Sequence, residues 1–314
     1  MAVEIPVEGI YMGHFTDREG LTGCTAILAP SGVTASVDVR GGAPGTLETA
    51  LLSPFTSVSE LHGLLLCGGS SPGLGAAAGV TAFLRERGYG YKTPYARIPL
   101  VAGAVIYDLG LGSPTACPLA GDAYKAANSA GRLAEEGSVG VGTGASVGKM
   151  LGEASAMKGG VAMASVRIAG GVVVSAFSVV NALGDVIEDD GSIIAGAREQ
   201  GEFIRSEEHL LSMTEAPTFV GLESTTISVV LTNAQLDKVG CHLVARAGHD
   251  GLARAVSPVH TAVEGECVFV LATGEKPSNS FQVGVAAARA VAASIRRAVK
   301  LADGLGAVTA FKDL

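Results

Sequence analysis

Alternation of apolar and polar positions marks most of the elements. Residues 24–29 (CTAILA) and 33–39 (VTASVDV) read as short strands around a turn at Pro30–Ser31–Gly32. The apolar run from Gly63 to Cys67 predicts a buried strand that leads into the loop GGSSPG. Apolar spacing then predicts a helix from Leu74 to Arg87, stopped by Gly88, and another from Leu119 to Glu135. Val161–Ile168 and Val172–Val180 alternate small apolar residues around Ala169–Gly170–Gly171, the signature of a hairpin. Thr225–Thr232 (TTISVVLT) is a β-branched strand, and Val268–Ala272 a further one. Helices at Leu236–Arg254 and Gln282–Ala302 complete the pattern. On the last, Arg289, Arg296, Arg297 and Lys300 share one face opposite alanine and valine. Strands and helices come in runs more than in strict alternation, which favours stacked α+β layers over a doubly wound sheet.

Composition narrows the class. The chain of 314 residues is 48% hydrophobic and only 17% charged, enough apolar surface for a large core and too little charge for disorder. Its 44 glycines follow no three-residue period, so they mark tight turns and close backbone approaches. There is no tryptophan and aromatics are scarce, which argues against stacking surfaces for bases or sugars. The formal net charge is −8, with no basic cluster, so nucleic acid is not an expected partner. Between Asp185 and Glu223 stand ten acidic and two basic residues, which carry that whole excess; this stretch is expected to be polar and mobile. The longest uncharged run, Gly63–Leu84, contains six glycines and a proline and does not read as a membrane span. Five dispersed cysteines without a C-x-x-C pair, and an N-terminus without a signal pattern, point to a reducing, cytoplasmic setting.

Several loops invite a chemical reading. Gly142–Thr143–Gly144–Ala145–Ser146–Val147–Gly148–Lys149–Met150 resembles a phosphate loop but misses twice, at Thr143 and at Met150. A non-catalytic nucleotide-binding protein is the reading from another class; turns beside packed strands are the better account of each loop alone. His14, His62, His209, His242, His249 and His260 show no metal-ligand spacing, no G-x-S-x-G elbow is present, and no cofactor or metal is expected. The junction Leu222–Glu223–Ser224–Thr225–Thr226 is more informative. A threonine at a strand start is ordinary. Were the bond before Thr225 cut, however, its α-amine, with a pKa of roughly 7.7–8.0, would serve as base for its own hydroxyl.

At that point the chain resembles the self-processing L-aminopeptidase/D-esterase family, which includes β-peptidyl aminopeptidases and nylon-oligomer hydrolases. GHFTDREGLTGCTAIL, DVRGGAPGT, LLLCGGSSPGLGAAAGV, AVIYDLG, GVGTGASVGK, VVNALGDV, STTISVVLTNAQLD and PVHTAVEGECVFVLATG occur in family order over nearly the whole chain. The resemblance implies one αββα domain over residues 1–314, like that of N-terminal-nucleophile hydrolases. It implies self-cleavage between Ser224 and Thr225 into an α part, 1–224, and a β part, 225–314. It also implies a homo-oligomer, tetramer or larger, that acts on short peptides, amides or esters without a cofactor. An alternative within the fold is hydrolysis of ω-amino-acid oligomers or other non-peptide amides. By motif, Thr225 matches the nucleophile, Tyr107 and Asn181 match residues of the oxyanion hole or of substrate positioning, Lys149 matches a lysine beside the nucleophile, and Glu264 matches an acid that orients it. Four departures stand out. Ser224 replaces Asn or Gly, Glu223 replaces Gly, and Ala262 replaces Ser or Asp; Ser71–Pro72 replaces Ala–Phe in the loop that shapes the pocket.

Overall fold

An 18-residue strand, Thr22–Val39, stands where two short ones were expected. Pro30, Ser31 and Gly32 do not reverse the chain: they lie in a register shift between Leu28 and Val33, where a proline and a glycine at φ 79° are accommodated as a bulge. The computed structural model describes residues 1–214, 223–305 and 308–314. The strands of its main sheet are β1 (Tyr11–Asp17), β2 (Thr22–Val39), β3 (Thr46–Leu47), β4 (Glu60–Cys67), β5 (Val101–Val105), β6 (Gly160–Ile168), β7 (Val172–Val180), β8 (Ile227–Gln235) and β9 (Cys267–Pro277). Their order is β6-β7-β8-β9-β2-β4-β5-β3, with β1 paired to β2.

The bend in β2 folds this sheet into two layers. Residues 34–39 of β2 pair with β9, and residues 24–28 pair with β4. The side chains between the layers, among them Ile27, Leu64, Phe177, Val229 and Phe269, form one buried core. Helices cover both outer faces. Helices α1 (Ala77–Glu86) and α2 (Ala120–Asn128) bury Val80, Leu84, Ala123 and Ala127 against Cys24, Leu65 and Val101. After a short α3 (Ser206–Ser212), the helices α4 (Lys238–Ala253) and α5 (Ser280–Leu301) cover β6 to β9 with alanine, valine and Ile295. This is the expected αββα arrangement. Asp237 and Asn279 start the two long helices by accepting from the N–H groups of Gly240 and Gln282.

Two expectations change. The helix predicted to run to Glu135 ends at Asn128, because Leu133–Glu135 pairs with Ala2–Glu4 as a strand. The acidic stretch expected to be mobile is folded over 185–214. Asp185–Ile187, Ile193–Ala195 and Val256–Ser257 make a three-stranded sheet. Buried Asp185 accepts from both the N–H and the hydroxyl of Ser206 at 2.7 Å. The basic face of α5 answers the acids: Arg296 bonds Asp189 at 2.7 Å and Lys300 pairs with Glu188. Residues 215–222 lie outside the described residues.

Lys158 organises the glycine-rich loop. Its fully buried ammonium donates to the carbonyls of Gly142 (2.9 Å), Ala145 (2.7 Å) and Gly159 (3.0 Å), and burial pulls its pKa down to about 7. Lys158→Met strands three buried carbonyls, so a loss of about 3 kcal/mol is expected, read as a lower midpoint in urea unfolding. An unchanged midpoint would show that these bonds contribute nothing net.

Candidate active site

Three strand ends converge on Thr225. Asn181 follows the last residue of β7, Thr225 lies two residues before β8, and Glu264 lies three residues before β9. The strand predicted from Thr225 starts only at Ile227, and Thr225 is committed elsewhere. Thr225 N–H donates to the carbonyl of Asn181 at 2.8 Å and its hydroxyl donates to the carbonyl of Ser224 at 2.6 Å. Both Ser224 and Thr225 are buried.

Three hydrogen bonds hold the Asn181 side chain. Its Oδ1 accepts from Lys149 Nζ at 2.7 Å and from Ser146 N–H at 3.1 Å, and its Nδ2 donates to the carbonyl of Tyr107 at 3.0 Å. Lys149 is fully buried; desolvation lowers its pKa, against the opposing pull of Glu153, Glu264, Asp108 and Glu223. The turn that aims it needs glycine. Gly148 sits at φ 72°, and a Cβ there would meet Ala197 N at 2.0 Å.

Glu264 accepts from the N–H of Leu183 (3.2 Å) through one oxygen and from the N–H (3.1 Å) and hydroxyl (3.0 Å) of Thr261 through the other. Burial, then the neighbouring Glu266, raises its pKa to about 7. Glu266 is pushed up by burial to about 8 and pairs with His260 Nδ1 at 3.2 Å. The loop Arg40–Gly45 closes over this turn: Arg40 N–H donates to Glu266 O and Ala43 N–H to Glu264 O, each at 2.8 Å. Gly41 and Gly42 permit that approach, since a Cβ on either would lie 2.2 Å or less from a carbonyl oxygen.

In front of Thr225 opens a cavity of about 300 Å³ lined by Pro44, Ser70, Ser71, Tyr107, Glu223 and Ser224, among others. Asp108 fixes its floor by accepting from Gly69 N–H and from the Thr22 hydroxyl, each at 2.7 Å. Thr225, Asn181, Lys149 and Glu264 are thus joined through the turn and the strand ends, while Tyr107 contributes its carbonyl to Asn181 and its side chain to the cavity wall. The sequence reading did not single out Asp108, Glu266 or His260; the E-G-E repeat within HTAVEGE and the Asp of AVIYD carried the signal for two of them.

The glycine-rich loop offers little to a phosphate. The N–H groups of Gly140, Val141, Gly142, Thr143, Ala145, Ser146, Gly148 and Lys149 all have partners within the chain. Its carbonyls face Lys158. The nucleotide-binding alternative therefore finds no cradle. Among the described residues no group of three or more His, Cys, Asp or Glu is placed to hold a metal ion, and no helix is long and apolar enough to cross a membrane.

Known proteins resemble this chain over nearly its whole length. The sequence profile of peptidase family S58 matches residues 5–310. An uncharacterized aminopeptidase of Mycobacterium tuberculosis is 38% identical over 319 residues, covering 97% of this chain and 89% of the relative. A 6-aminohexanoate-oligomer endohydrolase of Kocuria sp. is 32% identical over 281 residues, covering 85% of this chain and 74% of the relative. Among solved structures, a β-aminopeptidase of Burkholderia sp. superposes with a TM-score of 0.71 at 20% identity, covering 97% of this chain and 88% of that one. The L-aminopeptidase D-Ala-esterase/amidase of Ochrobactrum anthropi, described as a variant of the Ntn-hydrolase fold, gives 0.72 at 19% identity, covering 99% and 92%. At that identity the likeness is one of fold.

Two buried carboxyls with raised pKa values link stability to pH. The folded chain keeps protons on Glu264 and Glu266 that the unfolded chain releases above its ordinary carboxyl range, so their contribution to stability is lost as pH rises from about 4.5 to about 8. Glu266→Gln should flatten the decline, measured as the difference between wild type and variant in denaturation midpoint across that window. Parallel curves would contradict the raised values.

Proposed function

This chain belongs to peptidase family S58, and from that premise we propose that it is a self-processing aminopeptidase or amidase whose nucleophile is Thr225. The single observation that carries the reading is the placement of the Thr225 hydroxyl 2.6 Å from the carbonyl oxygen of Ser224. In the precursor, Oγ attacks the Ser224 carbonyl carbon; the C–N bond breaks and the Thr225 nitrogen takes the proton. Water hydrolyses the resulting ester and leaves a Ser224 carboxylate and a free α-amine on Thr225.

The amine starts against the Asn181 carbonyl, where Thr225 N–H already donates. In turnover it accepts the proton of Oγ as Oγ attacks a substrate amide, and passes it to the departing amine; water then releases the acyl group. An ammonium buried near Asn181 favours the neutral form of that amine and stabilises negative charge. Glu264 holds the 261–264 turn and the Leu183 N–H, so it acts by positioning. Tyr107 from the cavity wall and the second amide proton of Asn181 are the groups assigned to the developing oxyanion.

The substrates are N-terminal residues of short peptides, amides or esters, the class suggested by relatives named aminopeptidase; the Kocuria relative's name keeps ω-amino-acid oligomers as the second reading. Assembly as a homo-oligomer, tetramer or larger, in the cytoplasm belongs to the same proposal, and the five free thiols suit a reducing compartment.

Two outcomes are expected. Wild type gives two bands on a denaturing gel, of residues 1–224 and 225–314, where Thr225→Ala gives one; a wild type that is active yet permanently intact would contradict the proposal. Asn181→Ala should lower kcat on an aminoacyl p-nitroanilide by about 100-fold or more, with EDTA without effect on wild type. Loss of activity on chelation, restored by zinc, would mean a different mechanism.

A further inference from the structure

The contacts of Ser224 are more specific than a cleavage site alone requires. Its N–H donates to the carbonyl of Val263 at 3.2 Å, and its carbonyl oxygen accepts the N–H of Gly265 at 3.2 Å. Between them Ser224 pairs with Glu264 as an isolated parallel bridge. The carbonyl to be attacked is thus held at its oxygen by a rigid backbone donor and approached by the Thr225 hydroxyl. A donor already aimed at the oxygen that becomes negative costs no reorganisation during the reaction.

Gly265 is in place because a side chain there has no room. A Cβ would lie 2.5 Å from both the Ala43 carbonyl oxygen and the Pro44 Cα, atoms of the loop that lines the cavity. The donor is therefore fixed by two backbones packed on each other, and it remains when residues 223–224 withdraw after cleavage. Any later acyl group attacked by the same Oγ brings its carbonyl to the same place, because the line of attack is set by the start of β8.

We propose that Val263 and Gly265 form the acyl clamp of the enzyme, Gly265 N–H receiving the substrate's carbonyl oxygen and the Val263 carbonyl receiving its amine. This inference rests on Thr225 being the nucleophile. The clamp is set to one residue: its two contacts are satisfied in the precursor by the N–H and C=O of the single residue Ser224. An α-aminoacyl group carries its amine and carbonyl on adjacent carbons and fits both contacts together. A 6-aminohexanoyl group separates them by a pentamethylene chain and cannot satisfy the pair as Ser224 does. Gly265 N–H touches the reacting oxygen and is a catalytic group, whereas Val263 selects the substrate.

The test uses the processed wild-type protein and three p-nitroanilides: L-alanyl, propionyl (the same shape without the amine) and 6-aminohexanoyl. The clamp predicts kcat/KM for L-alanyl at least tenfold above each of the others, the weight of a hydrogen bond to a charged group. Gly265→Ala, which displaces the donor, is expected to lower kcat on L-alanyl-p-nitroanilide far more than it changes KM, and to slow self-cleavage in parallel. If that variant does not fold, the wild-type panel decides alone. Propionyl or 6-aminohexanoyl turned over within threefold of L-alanyl would overturn the clamp while leaving the nucleophile in place. Hydrolysis undiminished in Thr225→Ala, or no hydrolysis of any of the three, would overturn the nucleophile and the clamp with it.

Discussion

A lysine ammonium sealed from water has to be met by oxygen, and at Lys149 the amide oxygen of Asn181 meets it at 2.7 Å. Leaving such a charge buried without a partner costs several kcal/mol, so the pair confines both side chains to one arrangement. The consequence runs through the main chain. With its side chain bonded to Lys149, to Ser146 and to Tyr107, Asn181 has its own carbonyl fixed at the end of β7, and that carbonyl accepts the N–H of Thr225. The position of the Thr225 nitrogen, to which the proposal assigns the role of base, is thereby tied to a lysine thirty-two residues before Asn181 in sequence.

The two-layer fold supplies the rest. β7, β8 and β9 belong to the layer under α4 and α5, and their ends bring Asn181, Thr225 and Glu264 together. The loops after β4 and β5, from the layer under α1 and α2, bring Ser70, Ser71 and Tyr107 to the opposite wall, and Asp108 ties the two loops together by accepting from Gly69 N–H. The cavity lies where the layers meet, and the bend of β2 is what makes them meet there. In the proposed mechanism self-cleavage and turnover share one hydroxyl, one amine position and one backbone donor.

Much of this was legible in the residues, and the exceptions have physical causes. The β6–β7 hairpin, β8 and the two long helices follow from alternation and from 3.6-residue spacing, which neighbours did not override. The turn signal at Pro30–Ser31–Gly32 misled, because one strand serving two layers needs a bulge where a hairpin needs a reversal. Charge density from Asp185 on read as a mobile segment, yet Glu188 and Asp189 have their partners about a hundred residues on, along α5, beyond what local pattern conveys. The same limit applies to the site. Thr225, Asn181, Lys149, Tyr107 and Glu264 came from motif blocks, whereas the parts played by Asp108, His260 and Glu266 are read from the bonds they make in space. Lys149 and Glu264 are both buried.

The account stands or falls on Thr225 forming a bond to the acyl group. Processed enzyme mixed with an aminoacyl p-nitrophenyl ester, quenched in acid during turnover and digested, can be read by peptide mass spectrometry. The account predicts the aminoacyl mass increment on the side chain of a peptide that begins at Thr225. An increment on any other residue, or on a peptide still continuous through Ser224 and Thr225, would contradict it.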